Sequence, residues 1–418
     1  MSPPDVPLSS APPPSSPTTP DAELSRGGVI AVAIAGFSTF LGLYATQPLL
    51  GHLEQVFHAS KAEVGLTVSA STGAVAIFAP LFGLIADRVG RRRLIITSLA
   101  LMSVLTALAA TANSLGGLVA WRFAEGAAMP GAYVVCLAYL TEEAGPRSLG
   151  RALAAFVAGN VLGGFAGRVI GGAVTELVDW RAAFVALGAV RLVGAIVAAR
   201  LLPASRRFTP RRGRGPGVMA LARALSTPRL LATYAIGFCN LFSLVALFTY
   251  AGFYLGAAPF HLGPGAIGAL FTVYLVGAVI TPVTGRWVDR IGARRVLTYA
   301  FAAGASGVAL TLVPSMPAVL LGLAAAATGA FVAQVATTSS LRTASAPHLR
   351  SLASGVYVTC YYVGGSVAGV LPGLLWARAG WIGTTALTVL AQLAAITIAN
   401  RAWRDADQPA LALALSRA

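Results

Sequence analysis

The chain has 418 residues, of which 56% are hydrophobic and only 11% are charged, and its mean hydropathy is +0.76. A soluble domain carries about 25% charged residues, so this composition excludes a soluble globular protein and indicates an integral membrane protein. The formal net charge is +16. The arginines stand in short clusters between apolar runs, however, which argues against a continuous nucleic-acid-binding face.

The N-terminal segment 1–22 is rich in Pro, Ser, Thr and Ala and contains no pattern that could form a core. We therefore expect a disordered tail there. A signal peptide is not expected, because the first apolar run begins late and no basic region precedes it.

From Gly27 onward, apolar runs of about 20 residues follow one another, each long enough to cross a hydrocarbon core of ~30 Å. The predicted spans are 27–50, 62–86, 93–112, 115–140, 150–174, 182–202, 230–256, 264–288, 293–313, 316–340, 351–375 and 380–402. Such continuous apolarity predicts helices, because barrel strands alternate in short segments. The predicted fold class is an all-α membrane protein with twelve transmembrane helices.

Positive charge falls on alternate joints between these spans. The joints at 51–61, 113–116 and 314–317 hold almost no arginine. The other joints hold Arg88, Arg91, Arg92, Arg93, Arg147, Arg151, Arg290, Arg294, Arg295, Arg342 and Arg350. Since basic loops stay on the cytoplasmic side, both termini are predicted to be cytoplasmic.

The chain is internally duplicated. The stretch from Gly83 to Arg93 recurs about two hundred residues later from Gly285 to Arg295, and Pro80 has its counterpart in Pro282. We infer two pseudo-symmetric six-helix bundles, 23–202 and 230–403, with a basic cytoplasmic linker at 203–229 and a cytoplasmic tail at 404–418. The linker could bind anionic lipid headgroups, although a solvated segment that sets orientation is the plainer reading. Two parallel repeats that face each other are typical of alternating-access transporters.

Two motifs resemble signatures of the major facilitator superfamily. They are Gly83-x-x-x-Asp87-Arg88-x-Gly90-Arg91-Arg92 and Arg122-x-x-Glu125-Gly126. The stretches Tyr44–Leu50 and Gly159–Arg168 resemble the bacterial efflux group that includes YnfM-type and arabinose-efflux-type permeases. The resemblance implies the major facilitator fold in a bacterial inner membrane. Phe165 replaces the proline usual in the antiporter signature, which weakens an inference of antiport.

The duplicated joint is a candidate gate. The resemblance implies that Asp87 docks at the start of the eleventh span, near Arg350, and pairs with a loop arginine when the inner gate is shut. Symmetry would place Asp289 near Leu149. The predicted gating residues are Gly83, Asp87, Arg88, Gly90, Arg91, Arg92, Asp289 and Arg290. Alternatively, the arginines only set orientation and Asp87 caps its own turn, but orientation needs no carboxylate there twice.

Ionisable side chains inside spans are costly and mark functional sites. Arg122 and Glu125 lie three residues apart on one helix and can pair. Glu125 is the only carboxylate well inside a predicted span, so it is the candidate for proton coupling, and the resemblance assigns Arg122 to the same role. A purely structural ion pair is an equal alternative.

Arg168 and Arg191 are expected to lack an acidic partner at this depth. Backbone carbonyls, Asn160 or an anionic substrate could satisfy them, and Arg168 could instead serve the fold. Three arginines against one glutamate disfavour lipophilic cations and favour neutral or anionic substrates. The predicted substrate-cavity residues are Tyr44, Gln47, Asn160, Arg168, Arg191, Asn240, Tyr250, Gln334, Tyr357 and Tyr361.

The predicted function is secondary active transport of a small organic solute across the inner membrane by alternating access, with proton-coupled efflux favoured. An importer or uniporter of an anionic or neutral metabolite, or a non-transporting sensor, is the alternative. An enzyme is not expected, since the spans offer one glutamate and no histidine. We expect no cofactor, no metal site, no nucleic-acid partner and a monomer whose partners are the solute, protons and lipid.

Overall fold

The computed structural model describes residues 23–205, 224–346 and 349–403, except for the side chains at positions 83, 84, 87, 146, 278, 281, 282 and 351. Regular structure in these ranges is helical, without strands. The predicted tails 1–22 and 404–418, and most of the predicted linker 203–229, lie outside the described residues.

The first half contains eight α-helices in the described chain. They are α1 (Arg26–Phe40), α2 (Leu50–Phe57), α3 (Lys61–Val89), α4 (Arg91–Ala109), α5 (Leu115–Ala128), α6 (Pro130–Glu143), α7 (Pro146–Leu177) and α8 (Trp180–Leu201). Their starts follow local chemistry. Ser60 and Glu63 form a capping box at α3, and the Asp179 side chain accepts from Ala182 N at 2.6 Å to cap α8.

The second half is divided into helices at different points. Its helices are α9 (Pro228–Gly256), α10 (Pro264–Leu270), α11 (Val273–Ile291), α12 (Ala293–Leu310), α13 (Met316–Ala344) and α14 (Arg350–Ala402). The last contains two helical segments that meet at Gly380, whose φ is 50° and whose backbone is not helical.

Within the described residues, eight helical segments are long and apolar enough to cross a membrane. One of them, Leu352–Ala402, covers two predicted spans, and α1, α10–α11 and α12 cover the remaining three. The twelve predicted spans therefore all fall on helices, and the prediction of a twelve-helix, two-bundle membrane protein is confirmed.

The first predicted span is not one continuous helix. After Phe40 the chain passes through turns over 41–46 and a 3₁₀ segment, Gln47–Leu49. Pro48 has no N–H to donate and disfavours helical backbone at the residue before it. Gln47 N instead bonds Tyr44 O at 3.1 Å, a tighter spacing than an α-helix uses.

The duplicated joint has the same backbone in both copies. Gly90 joins α3 to α4 with φ of 95°, and Gly292 joins α11 to α12 with φ of 86°. Only glycine adopts this region without strain, so the repeated glycine has a structural cause. We call the side of the molecule that carries these two joints the motif face, and the side that carries the joints Phe57–Lys61 and Leu177–Trp180 the opposite face.

The halves meet along two related pairs of helices, α3 with α14 and α7 with α10. Near the opposite face the contact is tight: a Cβ on Gly172 would overlap the carbonyl oxygen of Pro264. The carboxylate of Glu176 there accepts from Gly265 N at 2.6 Å. Closer to the middle, the hydroxyl of Ser366 donates to Ser69 O at 2.9 Å. The two bundles are therefore sealed against each other toward the opposite face.

Candidate functional site

A buried cluster of three charged side chains lies inside the first bundle. Glu125 on α5 is 2% exposed, and its two carboxylate oxygens contact Arg122 and Arg191 separately. Arg122 comes from the preceding turn of the same helix, whereas Arg191 reaches over from α8. One carboxylate thus joins two helices and leaves the cluster with one net positive charge.

The remaining guanidinium donors are satisfied by backbone carbonyls of the interrupted first span. Arg122 Nη2 donates to Leu43 O at 2.6 Å, and Arg191 Nε donates to Ser38 O at 2.9 Å. In a continuous helix Leu43 O would accept from Gln47 N, but that amide bonds Tyr44 O instead. The break in the first span therefore supplies the acceptors that hold two buried cations.

Three further bonds fix the cluster to α1, α3 and α4. Arg191 Nη1 donates to Thr106 Oγ1 at 2.6 Å, and Arg191 Nη2 donates to Thr39 O at 3.1 Å. The Ser71 hydroxyl donates to Arg122 O at 3.1 Å. Neither Thr106 nor Ser71 was predicted, because a hydroxyl inside a span usually bonds its own helix and has no distinguishing sequence signal.

The expectation that Arg191 lacks an acidic partner is wrong. Arg191 and Glu125 are 66 residues apart in the chain, so their contact depends on how α5 packs beside α8 rather than on sequence spacing. The expected pair between Arg122 and Glu125 is confirmed.

Arg168 lies in different surroundings, between the two halves. It is 5% exposed, its Nε donates to Gln47 Oε1 at 2.8 Å, and its Nη1 donates to Gly164 O at 2.7 Å. Its guanidinium carbon lies 4.8 Å from the ring centre of Tyr44, 4.5 Å from that of Phe271 and 5.0 Å from that of Tyr274. No described carboxylate pairs with it, as the sequence predicted. Gln47 also donates to Thr249 Oγ1 at 2.9 Å, which connects this site to α9.

A polar group lies in the second bundle. Gln334 Oε1 accepts from Asn240 Nδ2 at 2.9 Å and from the Tyr357 hydroxyl at 3.0 Å. The Tyr361 ring stacks on Tyr357 with centroids 5.9 Å apart. The Asn240 amide oxygen is buried without a partner among the described residues.

Two predicted cavity residues lie elsewhere. The Tyr250 hydroxyl donates to Gly369 O at 2.7 Å, which places it in the tight contact near the opposite face. The Asn160 amide, in the orientation that satisfies its neighbours, donates to Gly36 O and Phe156 O at 3.2 Å. Asn160 therefore joins α7 to α1 and does not contact either arginine.

At the motif face, the loop arginines brace the first bundle. Arg91 Nε and Nη2 contact the two carboxylate oxygens of Glu142 at 3.0 and 2.8 Å. Arg92 donates to Leu202 O and Ala199 O at 2.7 Å each, which satisfies two carbonyls at the end of α8.

Of the other predicted gating residues, three have side chains that the structure describes. Arg88, Asp289 and Arg290 are exposed. Asp289 makes no hydrogen bond or ion pair within the described chain, so this structure does not bring it to α7. The side chain of Asp87 lies outside the described set, so its predicted contact does too, and the surroundings of Gly83 are likewise not described.

Comparison with known proteins agrees with this architecture. The sequence profile of the Major Facilitator Superfamily matches residues 32–263 and 251–414. The chain is 32% identical over 376 residues to the inner membrane transport protein YnfM of Escherichia coli, covering 90% of each chain. It is 31% identical over 376 residues to the MFS-type transporter YybF of Bacillus subtilis, covering 90% of this chain and 93% of that protein.

Among solved structures, a bacterial homologue of the human lysosomal transporter Spinster superposes with a TM-score of 0.73 at 15% identity, covering 90% of this chain and 97% of that one. This likeness shows the shared fold. The profile and the two relatives cover both halves of the chain, and these relatives are transporters, not enzymes. The chain therefore belongs to the Major Facilitator Superfamily and is a multi-pass membrane transporter that works by alternating access.

Proposed function

We propose that the chain exports a small organic solute in exchange for protons, as a monomer in a bacterial inner membrane. The observation that carries this proposal is the position of Glu125. It is a buried carboxylate that joins two helices through two guanidiniums, and those guanidiniums hold the carbonyls of the interrupted first span.

Protonation of Glu125 would change the charge of this cluster from +1 to +2 and would remove the contact between α5 and α8. Two buried guanidiniums without a counter-charge are strongly unfavourable. To relieve this repulsion, the first span would move, or the first bundle would open at the cluster and admit water or solute. A proton bound at one carboxylate is thereby coupled to the backbone of the span that also carries Tyr44 and Gln47.

The proposed gate is the motif face, which the distribution of arginines assigns to the cytoplasm. Gly83, Asp87, Arg88, Gly90, Arg91 and Arg92, with Asp289 and Arg290, would close it. The halves are sealed toward the opposite face while Asp289 is exposed and unpaired, as expected for a latch that engages in the other state of the cycle.

Export is supported by the resemblance of the fifth span to efflux carriers, while the basic joints fix only which face is cytoplasmic. Solute flux into or out of proteoliposomes with an imposed pH gradient tests both the direction of transport and its coupling to protons. The candidate solutes are sugars, amino acids, organic anions and dyes. We expect the gradient to drive solute movement in wild-type protein and not in Glu125→Gln. The control is Glu23→Gln, because Glu23 is exposed and has no partner among the described residues.

Gradient-independent flux that is identical in wild type and Glu125→Gln would remove proton exchange and leave uniport. Binding without any flux would leave a sensor on the same fold.

A further inference from the structure

Arg122, Arg168 and Arg191, which are buried inside spans of the first bundle, differ in how many of their guanidinium nitrogens form hydrogen bonds. Every guanidinium nitrogen of Arg122 and Arg191 contacts a carbonyl, a hydroxyl or Glu125. Arg168 uses only Nε and Nη1, and its Nη2 makes no hydrogen bond to a described residue. A guanidinium that is 5% exposed, carries a spare donor and faces no described carboxylate is a binding position for an anion.

The surroundings of Arg168 are aromatic and come from both bundles. Tyr44 belongs to the first half, whereas Phe271 and Tyr274 come from the second half, at the break between α10 and α11.

The tyrosine hydroxyls around Arg168 lack hydrogen-bond partners among the described residues. Those of Tyr44 and Tyr274, whose rings lie against Arg168, make no hydrogen bond to a described residue and are not among its fully enclosed polar atoms. A buried tyrosine hydroxyl usually finds a partner. Two hydroxyls without one, on rings that contact Arg168, therefore point to a ligand that accepts hydrogen bonds and packs against rings.

We propose that this space binds a small aromatic carboxylate, whose carboxylate pairs with Arg168 and whose ring packs among the tyrosines. The proposal rests on the transport function above and names its substrate class. Arg168 offers a planar fork that matches a carboxylate, and its ring contacts span both halves, so the bound anion would touch both moving bodies. A cationic solute would meet a buried positive charge with no described acid nearby.

The test uses the purified full-length chain in nanodiscs and measures binding by isothermal titration calorimetry. The probes are benzoate, its neutral analogue benzamide, the cation benzylammonium and the non-aromatic anion hexanoate. We expect wild-type protein to bind benzoate at least tenfold more tightly than any of the other three. In Arg168→Gln, benzoate binding should weaken about tenfold to one-hundredfold, the usual range for a lost charge-assisted hydrogen bond, while the weak benzamide binding stays unchanged.

Two variants keep the result interpretable. Arg168→Lys retains the charge but not the fork, and should weaken benzoate binding less than Arg168→Gln. Arg200→Gln removes an exposed arginine of α8 and should bind benzoate as wild type does. Monodisperse elution and wild-type helicity are required of each variant.

Benzoate binding that survives Arg168→Gln overturns the proposal, and so does wild-type protein that prefers benzylammonium or binds no aromatic carboxylate. Failure of the transport proposal is separate: Arg168-dependent benzoate binding without flux in proteoliposomes supports the site and contradicts transport. Proton-driven flux of a cation supports transport and contradicts the site.

Discussion

Gly65 on α3 and Gly369 on α14 touch backbone to backbone across the boundary between the two bundles. A Cβ on Gly65 would overlap the carbonyl oxygen of Gly369. The two residues come from opposite halves of the duplicated chain, so their contact exists only while the bundles are sealed toward the opposite face. Small residues of this kind let transmembrane helices approach closely.

Gly65→Ala should therefore weaken the sealed state. Forcing extra volume into a packed contact costs about 1–3 kcal/mol, which shifts the population toward the state that is open at the opposite face. A cysteine introduced as Ser69→Cys, in a background without Cys136, Cys239 and Cys360, should react severalfold faster with a membrane-impermeant maleimide.

The control for this experiment is Gly51→Ala, because no heavy atom lies within 4 Å of its added Cβ. Equal labelling in the two alanine variants would contradict the role of the Gly65 contact.

The charged cluster should respond strongly to loss of its carboxylate. Glu125→Gln leaves two buried guanidiniums without a counter-charge, and removing one partner of a buried ion pair costs about 3–5 kcal/mol. The apparent unfolding temperature in detergent should fall accordingly. Adding Arg191→Gln returns the cluster to one net charge, so the double variant should be less destabilised than the sum of the two single variants.

The partly exposed pair between Glu54 and Lys61 is the control, since these side chains are 29% and 24% accessible. Glu54→Gln should cost less than about 1 kcal/mol. Additive effects at Glu125 and Arg191 would argue against their direct coupling.

The duplicated glycines should be sensitive to a methyl group for a backbone reason. At Gly90, with φ of 95°, alanine would be forced into a sparsely populated region at a cost of about 1–3 kcal/mol. Gly90→Ala and Gly292→Ala should each lower the apparent unfolding temperature.

Gly285→Ala should instead raise the apparent unfolding temperature. Gly285 is helical and has open space around its Cβ position, and alanine is favoured over glycine within a helix by about 0.5–1 kcal/mol. A drop in stability at Gly285 equal to that at Gly90 would contradict the explanation from φ.

The proposed latch predicts a loss of transport without a loss of protein. A carboxylate at a helix N-terminus contributes about 0.3–2 kcal/mol, so Asp87→Asn and Asp289→Asn should reduce flux by up to about thirtyfold with expression and membrane insertion unchanged. Quantitative immunoblotting of membranes together with proteoliposome flux checks this.

Asp179→Asn provides the matched control, because Asp179 caps α8 and asparagine caps equally well. It should transport normally. Normal transport by both latch variants would leave the arginines with the role of setting orientation alone.

The sequence predicted some side-chain contacts and not others, for reasons of distance along the chain. Arg122 and Glu125 lie one helical turn apart, so their pairing follows from the geometry of any α-helix. Arg191 meets the same carboxylate from another helix, and its partner could not be predicted from spacing. For the same reason Tyr250 was placed in the cavity, although it lies in the contact that seals the two halves.

By itself, the sequence determined the class of protein, the twelve helices and the duplication. The length of each apolar run decides whether it spans the bilayer, and the positive charge of each joint decides its side, so both are local properties of the chain. It did not predict the break before Pro48, because the run 27–50 is continuously apolar and only the structure shows where its helix ends. Only the tertiary structure decided that Arg191 shares Glu125 with Arg122 while Arg168 has no acid beside it. Those pairings depend on which helices pack together, and a buried charge is governed by its neighbours in space rather than in sequence.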